Sequence, residues 1–176
     1  MATPVISFQQ IVSETEPKGL TPENCARLAS EMAKPFGVFD DEVAILRVVN
    51  NNHLKFLYPD KLTQVGVIPL NNSTAVAART ALSRRPEVLN NFTQIKHASI
   101  FEAVPVHSKN RPQQPEKNAS VIQKIMTAPV IGPSGVLGVI QVSRKGISPQ
   151  AAGRDFTLAD LQKLISMTQA LALCFK

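Results

Sequence analysis

At 176 residues the chain is long enough for one good core and too short for two comfortable ones. It is 44% hydrophobic and 18% charged, and no apolar run in it is long enough to span a bilayer. The net charge of +6 invites a nucleic-acid partner. However, the cations are scattered in short pairs, Arg84-Arg85 and Arg144-Lys145, and with no Trp and one Tyr the base-stacking interleave of aromatic and basic residues is missing.

The opening residues show no basic start, no sustained apolar stretch and no small-residue cleavage site, so they do not read as a secretory signal. A cytoplasmic protein is the expectation, and the two cysteines, Cys25 and Cys174, fit a reducing compartment. Residues 1–20 read as an N-terminal arm ending at Pro17-Lys18-Gly19, with a single domain over 21–176. Thr21-Pro22-Glu23 is a helix start, with Thr at the N-cap, Pro at the first position and an acid in the first turn. Leu28, Met32 and Phe36 lie along one stripe of that helix, with Cys25 one turn earlier, and Pro35 and Gly37 close it.

Residues 42–50 (EVAILRVVN) read as a buried strand, Asn50-Asn51-Asn52 as a turn, and 53–58 (HLKFLY) as the returning strand. A short strand over 65–70 follows. A helix over 74–83 then shows a face of small residues, suited to close approach. Residues 86–90 are extended and 95–104 helical. The stretch 105–118 holds three prolines with Lys109, Arg111 and Lys117 and reads as a long exposed loop, placed as a lid.

The chain is organised around SVIQKIMTAPVIGPSGVLGVIQVSRK, residues 120–145. Two Val/Ile-rich runs flank the turn Gly132-Pro133-Ser134-Gly135 and predict a β-hairpin. In the second strand Val136, Gly138, Ile140 and Val142 alternate with Leu137, Val139, Gln141 and Ser143. Neither set is polar throughout, which predicts a central hairpin covered on both faces. Thr157 with Asp160 three residues later opens a last helix whose apolar arc is wider than one sheet contact needs.

This order of elements resembles a GAF domain over roughly residues 20–176. The residues that carry the likeness are PVIGPSGVLGVIQV followed by Phe156-Thr157-Leu158-Ala159-Asp160-Leu161. The resemblance implies an α+β fold: a central antiparallel sheet, terminal helices on one face, and short helices and loops forming a pocket on the other. Cyclic-nucleotide-responsive members carry an Asn-Lys pair, then a Phe, then an Asp-Glu pair. Lys145, Phe156 and Asp160 match that pattern, while Arg144 and Leu161 depart from it and count against a cyclic nucleotide. Two roles stay open for Asp160: pairing with Lys145 to tie strand to helix, or capping its own helix.

The three histidines, His53, His97 and His107, have no metal-ligand spacing, and the glycines 132, 135 and 138 lead into a strand rather than a phosphate-binding helix. A reductase of free methionine sulfoxide, which resembles this family, works by thiol chemistry at its pocket, whereas Cys25 and Cys174 sit on apolar faces of the terminal helices. The expected function is therefore non-catalytic: a sensory or regulatory domain that binds a small molecule or a signalling partner. The rival readings are an enzyme using the same pocket and a nucleic-acid-associated protein. The expected pocket-lining residues are Tyr58, His97, Phe101 and Glu102, and the basic lid would favour an anionic ligand. The sequence leaves any cofactor unknown. The wide arc on the last helix predicts a homodimer through Leu164, Met167 and Leu171.

Overall fold

A computed structural model describes residues 8–64, 66–71, 75–92 and 121–175. Its strands are β1 (Val43–Val49), β2 (His53–Tyr58), β3 (Val67–Pro69), β4 (Glu87–Leu89), β5 (Val121–Gly132) and β6 (Gly135–Gly146). They form one antiparallel sheet in the order β3-β2-β1-β6-β5-β4. The long hairpin of β5 and β6 is thus central, as its two-sided apolar pattern requires. The helices are α1 (Phe8–Thr15), α2 (Pro22–Ala33), α3 (Asp60–Thr63), α4 (Val76–Ser83), α5 (Pro149–Ala152) and α6 (Leu158–Leu171). Among the described residues no helix is long and apolar enough to cross a membrane.

One face of the sheet, the helical face, is packed by α1, α2 and α6. Leu28 and Met32 of α2, Leu164 and Leu171 of α6, and Ile45, Met126, Ile140 and Val142 of the strands are fully enclosed in one cluster. The cap at Thr21 fixes where α2 starts, its hydroxyl accepting from the Asn24 N–H at 3.2 Å. The other face is covered by α4, whose Ala77, Ala78 and Ala81 lie on Leu46, Leu54 and Val139 in a second cluster with Leu62 of α3. Thr80 ties α4 to β5 by a buried hydroxyl–hydroxyl bond to Thr127 at 3.0 Å.

Two expectations change here. The core does not begin at residue 21: Ile11 and Val12 of α1 are buried in the same cluster as α2 and α6. The wide arc of α6 is also accounted for within the chain. Leu164 and Leu171 are fully buried, Met167 packs on the same core, and α1 lies against α6 and the turn that follows it. The surface of α6 is instead rich in polar groups such as Gln162, Lys163, Ser166 and Gln169. Much of the apolar arc is therefore interior surface, while Leu158 at the start of α6 and Leu173 just beyond its end stay exposed.

Bulges decide which residues share a face. Ile45 pairs with Tyr58 while Leu46 pairs with Phe56, so Leu57 is the extra residue on β2. In the hairpin, Val130 pairs with Gly138 and Ile131 with Val136, which makes Leu137 the extra residue on β6. Val136 consequently faces the core under α4, on the opposite side from Ile140 and Val142.

Candidate functional site

On the α4 face, at the end of the sheet where β6 finishes and β1 begins, the described residues enclose a cavity of ≈ 30 Å³. That is room for about one or two waters. Ala44, Phe56, Pro59, Leu62, Ile122 and Ile125 supply apolar wall, and Asp41, Glu42, Gln141, Ser143 and Lys145 supply polar wall. The last three come from one strand at period two, so they continue inward the face that Val139 begins.

Glu42 is locked in place. Its carboxylate accepts from the Phe39 N–H at 2.8 Å and from the Lys145 N–H at 2.6 Å, and its carbonyl accepts from the Ser143 hydroxyl at 3.2 Å. The short 3-10 turn Asp40–Glu42 is thereby pinned to β6, and it forms one rim of the cavity.

Of the lining residues expected from the sequence, Tyr58 points elsewhere. The bulge at Leu57 turns both side chains onto the helical face, where they pack on the α2–α6 core. Burial raises the Tyr58 phenol above its usual range, and the carboxylates of Asp40, Asp41 and Asp60 add to this, with Asp40 accepting its hydrogen bond. His97, Phe101 and Glu102 lie outside the described residues, as does the whole 105–118 loop with Lys109, Arg111 and Lys117.

Lys145 and Asp160 are not brought together, because Lys145 lines the cavity while α6 packs on the opposite face. Asp160 is held by its own neighbourhood. Its carboxylate accepts from Arg154 at 2.8 Å and from the Thr157 N–H at 2.9 Å, and the Thr157 hydroxyl accepts in return from the Asp160 N–H. The Arg154 hydrogen bond is the main reason its pKa falls to about 2, with the Thr157 N–H helping and burial opposing. The residue that ties β6 to the start of α6 is Arg144. Its guanidinium lies 4.6 Å from the Phe156 ring centre and donates to the Phe36 carbonyl at 2.7 Å. Extending the alternation of β6 by two residues puts Arg144 with Val142 and Lys145 with Ser143, and that was the signal for both placements.

The polar wall residues Asp41, Glu42, Gln141, Ser143 and Lys145 were not expected as a group, although Gln141, Ser143 and Lys145 interrupt an apolar strand at every second position. Among the described residues no group of three or more His, Cys, Asp or Glu could hold a metal ion.

Compared with known proteins, the chain matches no family model and no curated protein. Solved structures do match. A GAF domain from an Acinetobacter phosphoenolpyruvate-protein phosphotransferase superposes with a TM-score of 0.64 at 11% identity, covering 99% of this chain and 94% of that one. The GAF-B domain of DevS from Mycobacterium smegmatis gives 0.56 at 14% identity, covering 88% and 92%. The fold is that of a GAF domain. The same fold is shared by the free methionine-R-sulfoxide reductase of Neisseria meningitidis, with a TM-score of 0.58 at 13% identity over 99% of this chain and 92% of that one. Identities this low establish architecture alone.

Within this GAF fold both cysteines are placed, and both are fully buried on the helical face. Burial pushes the Cys25 thiol up to about 11, and the Cys174 thiol donates to the Val12 carbonyl at 3.7 Å. A thiol with a raised pKa and no solvent access is a poor nucleophile. The cavity lies across the sheet from both.

Proposed function

We propose that this chain is a non-catalytic regulatory domain that binds a small polar molecule at the α4-face cavity. The observation that carries the reading is the separation of the cavity from the thiols: five polar side chains converge on one face, while every cysteine of the sequence is sealed on the other. Thiol redox chemistry at the cavity has no nucleophile to start from, which supports binding over catalysis. The wall carries two carboxylates and one ammonium, a mixed lining that suits a ligand with both donors and acceptors.

The size of the cavity has a consequence. Small-molecule pockets hold about 300–1,000 Å³, so a metabolite enters only if the wall moves, and α3 is the wall element not pinned by the Glu42 hydrogen bonds. Binding coupled to such movement is what a sensor needs, because a ligand shifts only equilibria whose states it distinguishes.

Thermal-shift screening of nucleotides, amino acids and organic acids tests the reading. One class should raise the melting temperature, since a ligand at 100 times its Kd adds about 2.7 kcal/mol. The variants Ala44→Phe, which fills the cavity, and Gln141→Leu, which removes a polar group from its wall, should abolish the shift. Stabilisation that persists in both variants, or its absence with every class, would overturn the assignment.

A further inference from the structure

Helix α4 ends at Ser83, and the next residue, Arg84, adopts the left-handed conformation with φ 58° and ψ 27°. Its N–H donates to the Thr80 carbonyl at 2.9 Å. This closes a helix well, but glycine is the usual residue there because a Cβ is crowded in that conformation. A cation near a helix C-terminus gains from the dipole, and Arg85, next in the chain, supplies one without the strained backbone. The arginine at 84 therefore calls for a reason beyond the helix.

Its guanidinium reaches the tip of the central hairpin, where Nη2 lies 3.9 Å from the point a Cβ on Gly135 would occupy. Ile131 stands at that tip, paired with Val136 and 48% exposed. Leu82, in the last turn of α4, is 61% exposed. Among the described residues neither Arg84 nor Arg85 has a carboxylate partner, and Glu87, close by in sequence, is held by Arg79 at 2.6 Å. The corner thus offers the Arg84 guanidinium at the hairpin tip that carries Ile131, with exposed Leu82 and Arg85 flanking Arg84 in the chain, at the opposite end of the hairpin from the cavity.

We propose that this corner docks an acidic protein segment carrying an aliphatic anchor. Guanidinium forks match carboxylates in a bidentate geometry that an ammonium lacks, and Ile131 and Leu82 give the anchor an apolar seat. Among the described residues no aromatic side chain stacks on these arginines, which argues against stacked bases. Two cations fall short of the roughly four to eight that mark an anionic lipid surface.

Fluorescence anisotropy of the full chain with synthetic peptides tests this. The probes are Asp/Glu-rich peptides with a central leucine, their Asn/Gln counterparts, single-stranded DNA and phosphatidylserine vesicles. The acidic, leucine-bearing peptide should bind best. Arg84→Gly should weaken it about tenfold or more and leave the melting temperature equal or higher, because glycine relieves the backbone. Ile131→Ser should weaken the leucine-bearing peptide more than one without leucine. Unchanged affinity in Arg84→Gly, equal binding of the neutral peptides, or preference for DNA or vesicles would each overturn the proposal. So would a fall in the melting temperature of Arg84→Gly, which would show that the arginine serves the helix end.

Discussion

The two faces of one sheet are closed by different means. On the helical face the 12-residue α2 and the 14-residue α6 send Leu and Met side chains onto the strands, and α1 fills the groove beside them. On the other face the eight-residue α4 turns Ala77, Ala78 and Ala81 inward. Alanines let a helix approach closely, but they cannot reach sideways to fill the end of a sheet. The space left beside them, under α3 and the Asp40–Glu42 turn, is where the polar wall forms. The dry face thus holds the thiols buried, while among the described residues the α4 face leaves a cavity with a polar wall.

The largest effect that would break this contrast is expected at Gly138. A Cβ there would stand 2.2 Å from the Leu46 carbonyl and 2.5 Å from the Phe175 ring. Neither neighbour can yield easily, since one is sheet backbone and the other closes the helical face. Gly138→Ala should cost more than about 3 kcal/mol, read as a fall in the urea midpoint. A midpoint near that of the native chain would show that the dry face is looser than its geometry implies.

A matched pair sharpens the comparison at smaller scale. Ala128, on β5, is fully buried in the helical-face core, whereas Ala44, on β1, lines the cavity. Adding the same two methyl groups should cost about 1–3 kcal/mol in Ala128→Val and less than about 1 kcal/mol in Ala44→Val. Equal losses in urea titrations would mean that the two faces are packed alike.

Much of this was legible in the sequence where a local rule decides. The Thr21 cap, the Thr157–Asp160 capping box and the central hairpin follow from hydrogen-bonding groups and periodicity within a few residues. What periodicity misses is the single extra residue. Leu57 and Leu137 each shift the pairing by one, which moves Tyr58 and Val136 to the face opposite the one that simple alternation gives them. The arc of α6 is a different case: α1 covers part of it, and no pattern within α6 shows that a distant helix does so. The chemistry of the cavity was visible as polar residues at every second position of β6, but which face they occupy depends on the register.

The smallest effect concerns Asp160 and separates the faces electrostatically. Arg154 holds its carboxyl down to about 2, against an ordinary 3.8. A depressed acid contributes stability that is complete above its unfolded pKa and is lost as pH falls through the folded value. Asp160→Asn keeps an acceptor for the Thr157 N–H and loses the charge facing Arg154, whose side chain is 53% exposed. The expected loss at neutral pH is therefore only about 0.5–1 kcal/mol. It should shrink between pH 4 and pH 2, the interval set by those two pKa values, and vanish below it. The partner decides the placement. Arg154→Ala combined with Asp160→Asn should be non-additive, because each removes the same contact. Lys145→Ala combined with Asp160→Asn should be additive, because the sheet lies between them. Coupling of Lys145 rather than Arg154 to Asp160 in urea titrations would place Lys145 on the helical face and remove it from the cavity.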